Sequence, residues 1–171
     1  MRAHAHPGRD RALLPDAGRH AGLRRLTARL FTIGYERLLP PQLVAELQAA
    51  GVERVIDVRF RPQSRRPGMS KTRLGELLSD HGIAYEHRRA LGTPPDLRWL
   101  FRAGRVVEAA AAYREHVERA APDALDALAA ELGAAPPTAL LCLEADPAHC
   151  HRRVISEALK ERRPDLVVVD L

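Results

Sequence analysis

The sequence predicts an α/β domain of three layers, a mainly parallel sheet of about five strands with helices on both faces. Three observations predict it. Short apolar runs such as Thr138-Ala-Leu-Leu-Cys142 read as strands buried on both sides, which is what a covered parallel sheet requires. Segments with apolar residues at helical spacing lie between those runs, so strand and helix alternate. The length of 171 residues, 46% apolar and 29% charged, suits one globular core.

In chain order, Phe31 to Tyr35 reads as a short buried strand ending at Gly34. Pro40 and Pro41 stand where a helix opens, and Leu43, Val44, Leu47 and Ala50 form its apolar stripe before Gly51 stops it. Val52 to Arg59 is a second strand, and Arg61 to Ser70 a Pro- and Gly-broken loop. Ser70 is placed to cap a helix carrying Leu74, Leu77 and Leu78, which Gly82 ends before a third strand, Ile83 to His87. Val106, Ala110, Tyr113 and Val117 recur at helical spacing, and Pro122 opens another helix with Leu125, Leu128, Ala129 and Leu132 on one face. A break at residues 133–137 leads to the strand Thr138 to Glu144, a helix from Pro147 to about Arg162, and a last strand, Leu166 to Leu171.

The net charge of +5 falls entirely in residues 1–30, which hold seven Arg against Asp10 and Asp16; residues 31–171 balance 20 basic groups with 20 acidic ones. The expected organisation is a basic, unstructured leader over 1–30 and a single α/β domain over 31–171. No apolar run approaches the ~20 residues that span a bilayer, and the N-terminus lacks an apolar signal region. Two cysteines do not make a disulfide framework, and free thiols in a reducing cytoplasm are expected.

In open parallel sheets ligands bind beyond the carboxyl ends of the strands, and the unusual polar residues fall there. Around the helix from Pro147, a 100° step per residue centres the stripe of Val154, Ile155, Ala158 and Leu159 on His151. Cys150 and Arg152 flank it, and His149 turns outward. Glu144 shares a strand face with Cys142, which alone reads as a packing residue. This gathers a thiol (Cys150), an imidazole (His151), a guanidinium (Arg152) and a carboxylate (Glu144) at a helix N-terminus, whose dipole favours an anion. Cys142, Cys150 and His151 could supply three metal ligands but lack a fourth group, so neither metal nor cofactor is expected.

A second cluster is Asp57 and Arg59 on one strand face, followed by Arg61, Arg65, Arg66 and Lys71 in the loop. Arg59 could grip a phosphate or carboxylate in bidentate fashion, or Asp57 and Arg59 could simply brace the loop. His87 to Asp96, with a tight approach of backbone at Leu91-Gly92, and Tyr35 complete the edge.

Together the motifs Thr32-Ile-Gly-Tyr35, Ile56-Asp-Val-Arg59 with Pro62 and Ser64-Arg-Arg-Pro-Gly68, Leu91-Gly92, and Leu141-Cys-Leu-Glu144 running through Pro147 to Cys150-His-Arg152 resemble the domain-of-unknown-function 488 family over about residues 31–171. Phe60-Arg61 departs from the family's more usual Ser or Arg followed by an aromatic residue. The resemblance implies a small bacterial or archaeal cytosolic α/β protein whose motif cysteines are suspected of functional importance. It implies no established reaction.

Three functions compete. The first is an enzyme on an anionic, phosphate- or nucleotide-like molecule, with Arg59, Arg152, Tyr35, Arg65 and Gly92 at the ligand, Cys150 as nucleophile or redox thiol, His151 moving the proton and Glu144 or Asp57 orienting it. The second is a nucleotide or nucleic-acid binding module acting through loop 61–71 or the leader, against which stand the 4% aromatic content and the neutral domain. The third is a structural or interaction domain with satisfied polar networks. No membrane partner is expected.

Overall fold

The computed structural model describes residues 28–171; the basic leader falls almost wholly outside them. Ala28 is already buried and the first strand begins at Arg29, two residues earlier than the expected domain boundary. The elements are β1 (Arg29–Gly34), α1 (Pro40–Ala49), β2 (Arg54–Asp57), α2 (Lys71–Asp80), β3 (Ala84–His87), α3 (Pro95–Arg102), α4 (Val106–Ala120), α5 (Pro122–Glu131), β4 (Thr138–Cys142), α6 (His151–Arg162) and β5 (Val167–Asp170).

The five strands are all parallel, in the order β3-β2-β4-β1-β5. β4 lies between β2 and β1, pairing Leu141 with Asp57 on one side and Cys142 with Gly34 on the other. Its residues are buried on both faces. Leu140 and Cys142 point into the core under α4, α5 and α6, with Tyr113, Leu125, Val154 and Ile155. Ala139 and Leu141 point into the core under α1 and α2, with Leu43, Leu47, Leu74 and Leu78. The period-2 alternation of a strand therefore feeds two apolar cores at once. Each fully buried Leu or Ile side chain in them contributes on the order of 1.5–3 kcal/mol. Among the described residues, no helix is long and apolar enough to cross a membrane.

Three local expectations change. α3 is a separate eight-residue helix ahead of the one carrying Val106, in a stretch to which the sequence assigned no element of its own; Pro95 suits its first position. Ser70 precedes α2 but makes no capping bond; its hydroxyl pairs with the backbone N–H and carbonyl of Ser64. The helix expected from Pro147 is broken. Pro147–His149 form a single 3₁₀ turn, whose start Asp146 caps by accepting from the Ala148 N–H at 2.8 Å, and Cys150 is extended at φ −130° and ψ 144° before α6 begins.

Candidate functional site

The carboxyl ends of β2, β4 and β1 lie side by side and their loops stay paired past the strands. Tyr35 N–H donates to the Cys142 carbonyl at 3.3 Å, Glu36 N–H to Leu143 at 2.8 Å, and Val58 N–H to Leu141 at 3.1 Å. A side chain at Gly34 is excluded, because a Cβ there would lie 1.8 Å from the Glu144 carbonyl oxygen. Gly92 has the same role one loop away, where a Cβ would sit 2.4 Å from the backbone of Phe60.

The extended backbone at Cys150 brings its side chain back against the sheet end. Cys142 Sγ lies 3.1 Å from Glu144 Oε2 and 3.9 Å from His151 Nδ1, and Cys150 Sγ lies 3.7 Å from the same Nδ1. His151 Nε2 meets the Val58 carbonyl at 2.9 Å. A carbonyl only accepts, so Nε2 carries the proton and Nδ1 faces the two sulfurs. Tyr113 packs edge-on to the imidazole with ring centroids 5.2 Å apart and donates to the Leu91 carbonyl at 2.6 Å.

Electrostatics separate the two thiols. The hydrogen bond from Cys150 holds the Cys142 thiol well below its ordinary range, with His151 adding to the effect against the cost of burial. Burial and the neighbouring Cys142 sulfur push Cys150 well up. Burial alone would lower the His151 imidazole, but the charge and hydrogen bonding of Cys142 outweigh it and raise it. Burial and the Cys142 charge raise the Glu144 carboxyl. Cys142, which reads as a packing residue in the sequence, is thus the sulfur that the surroundings favour as thiolate.

Of the two arginines expected to clamp an anion, Arg59 is engaged by other groups and Arg152 does not line the pocket described below. Arg59 Nε donates to both oxygens of Asp57 (2.8 and 3.0 Å), Nη2 to Asp57 Oδ2 (2.5 Å), and Nη1 to the Tyr35 hydroxyl and the Met69 carbonyl (both 2.8 Å). Tyr85 adds a hydrogen bond to Asp57 Oδ2 at 2.6 Å. Burial opposes the Arg59 charge, but the Asp57 bonds hold the guanidinium above its ordinary value. Burial, then the Asp57 charge, raise the Tyr85 hydroxyl. Arg152 is fully buried, donates from Nη2 to the Glu144 carbonyl at 2.8 Å, and keeps Nε and Nη1 without a partner. It pins the loop that presents Glu144.

A pocket of about 130 Å³ opens above this cluster. Cys142, Glu144, Cys150 and His151 line it, with Tyr35 and the edge of Arg59 at one side. Arg61 and Arg102, both exposed, and Arg98, half-buried, line its solvent side together with the exposed His149, and Phe60, Thr93 and Phe101 also line it. None of these three arginines forms an ion pair among the described residues; Arg98 donates only a 3.3 Å bond to the Thr93 carbonyl. Arg65 is exposed and does not line the pocket, Asp57 lies beneath Arg59 and away from it, and Gly92 acts through Phe60. Arg98 and Arg102 escape the sequence reading because they depend on α3. Their spacing of four residues after Pro95 is the signal that could have found them.

The sequence model of one family, described as "Domain of unknown function DUF488", matches residues 40–159. No curated protein and no solved structure matches the chain.

Proposed function

Because the chain belongs to the DUF488 family, whose description carries no reaction, we propose its function from the pocket itself: an enzyme that binds a small anionic molecule, phosphate- or carboxylate-bearing, and acts on it at the thiol–imidazole floor. The observation that carries this reading is the pairing of Arg61, Arg98 and Arg102 on the solvent side with Cys142, Glu144, Cys150 and His151 beneath them. Three guanidinium groups with no carboxylate partner among the described residues favour an anion, and Arg suits the planar oxygens of phosphate and carboxylate. The floor is not what a passive binding module needs, since acid–base and sulfur groups cost burial energy without adding grip. At 130 Å³ the pocket is smaller than the ~300–1,000 Å³ typical of drug-sized ligands. It suits a small anion or the terminal group of a longer molecule.

In this reading Arg98 and Arg102 replace Arg59 and Arg152 as the ligand-gripping pair, and the Asp57–Arg59–Tyr35 unit supports the wall. Titration calorimetry of the full chain with inorganic phosphate, pyrophosphate and a nucleoside monophosphate tests it. One saturable site that weakens with salt, and at least tenfold in an Arg98→Ala/Arg102→Ala variant of unchanged fold, is expected. The absence of saturable binding by all three anions, or binding unchanged in the double variant, overturns it.

A further inference from the structure

The ligand atoms of Cys142, Cys150 and His151 all lie within 4.8 Å of one another, and all three residues are buried. We propose that these three side chains form a zinc site, with the fourth position open to the pocket. The proposal stands on their geometry and does not require the anion reading above.

The two sulfur–nitrogen separations, 3.9 and 3.7 Å, are long for hydrogen bonds. Around a tetrahedral zinc with bonds of about 2.3 Å to sulfur and about 2.0–2.1 Å to nitrogen, sulfur and nitrogen ligands stand roughly 3.5–3.6 Å apart. Both sulfur–nitrogen separations therefore lie within tenths of an ångström of those a zinc complex needs, and the two sulfurs, within 4.8 Å of each other, would close to about 3.8 Å around the ion. The imidazole is also oriented as a ligand. Its Nε2–H is fixed on the Val58 carbonyl at 2.9 Å, which leaves the Nδ1 lone pair aimed between the sulfurs. A metal-binding histidine is held by a carbonyl in this way. Two thiolates and an imidazole are the donors zinc takes in preference to magnesium or calcium.

Glu144 stands just outside the triangle, 3.1 Å from Cys142 Sγ through Oε2. It is not part of the three-membered ligand set. Three protein ligands with an open position are the pattern of a zinc that acts on a bound molecule, whereas closed four-ligand sites are structural. The open side is the pocket, which all three ligands and Glu144 line. Zinc there would polarise a bound water or substrate oxygen, and Glu144 is the carboxyl group beside it that can exchange a proton.

The experiment measures metal in the reduced full chain. After chelator treatment, zinc alone and then cobalt alone are titrated back, with circular dichroism on every variant. One zinc per chain is expected, and the cobalt form should show tetrahedral visible bands with a thiolate-to-cobalt charge-transfer band. Cys142→Ser or Cys150→Ser should lose about half of that charge-transfer intensity, and their combination all of it. His151→Cys should keep one metal and gain charge-transfer intensity, whereas His81→Ala, exposed at the end of α2 and not lining the pocket, should change nothing. No uptake of either ion by the folded wild-type chain overturns the proposal, as does cobalt bound without charge transfer or metal content unmoved by the double cysteine change. Zinc binding without phosphate binding removes the anion reading alone, and phosphate binding by a chain that takes no metal removes the metal site alone.

Discussion

Arg59 and Asp57, two residues apart at the end of β2, hold each other in a buried ion pair through three hydrogen bonds of the side chains, with Tyr35, Tyr85 and the Met69 carbonyl completing the ring. The pair anchors the loop that follows β2 to the sheet end. Arg59→Ala leaves Asp57 as an uncompensated buried charge, an error worth about 3–5 kcal/mol. The urea midpoint should fall accordingly, and Asp57→Asn combined with Arg59→Met should cost less than Arg59→Ala alone. An Arg59→Ala chain of unchanged stability with lost phosphate affinity would return Arg59 to the role of clamp.

Gly34 is the second point of rigidity. A Cβ there meets the Glu144 carbonyl at 1.8 Å and its carbon at 2.5 Å, both backbone atoms. Gly34→Ala must push β1 and the 144–145 loop apart. The expected loss is about 3 kcal/mol or more, at the upper end of over-packing costs, read as a lower thermal midpoint. A midpoint within a degree or two of wild type would show that this loop yields freely.

Tyr113 tests how the floor is supported from α4. Its hydroxyl bonds the Leu91 carbonyl at 2.6 Å, and its ring abuts His151. Tyr113→Phe keeps the ring and leaves that buried carbonyl without its partner, a cost of about 1–3 kcal/mol. Denaturation should show this loss, while metal uptake should persist because no ligand is touched.

Acid stability should depend on two carboxylates far from the pocket. Hydrogen bonds from Arg162 hold Glu118 below the usual carboxylate range, and those from Arg88 do the same for Glu131, each against a smaller effect of burial. A depressed folded-state value means that the stabilisation is present above the unfolded-state value of about 4.3 and is lost as pH falls through the folded value. Both side chains are about a third exposed, so each effect is modest. Urea midpoints between pH ~5 and ~3 should fall less steeply in a Glu118→Gln/Glu131→Gln chain than in wild type. Parallel slopes would show that these pairs contribute nothing.

Much of the fold was legible because its cause is local. The apolar run of β4 and the helical spacing of Val106, Tyr113 and Val117 follow from burial on a period of 2 or 3.6. The inward direction of His151 followed from the same spacing, and it survived the break at Cys150 because α6 begins at His151. The all-parallel order β3-β2-β4-β1-β5, which brings Gly34, Asp57 and Cys142 to one edge, needed the tertiary structure to be seen in full.

By itself the sequence determined the family motifs, the alternation of strands and helices, and the strand-end position of Cys142, Glu144, Cys150 and His151. Only the tertiary structure decided which arginines are free. Arg59 is held by Asp57 beside it and by Tyr35 and Met69 from other segments, and Arg152 is buried with one bond to the 144–145 loop, while Arg98 and Arg102 reach the pocket on a helix that opens with two prolines. It also decided that Cys142, grouped with Cys150 and His151 by the sequence only as a possible ligand, lies against both of them. The reason is physical: spacing along a chain sets which face a residue takes and allows a local pair such as Asp57 and Arg59, but which of the alternative partners a buried group meets depends on distant segments that only packing brings together.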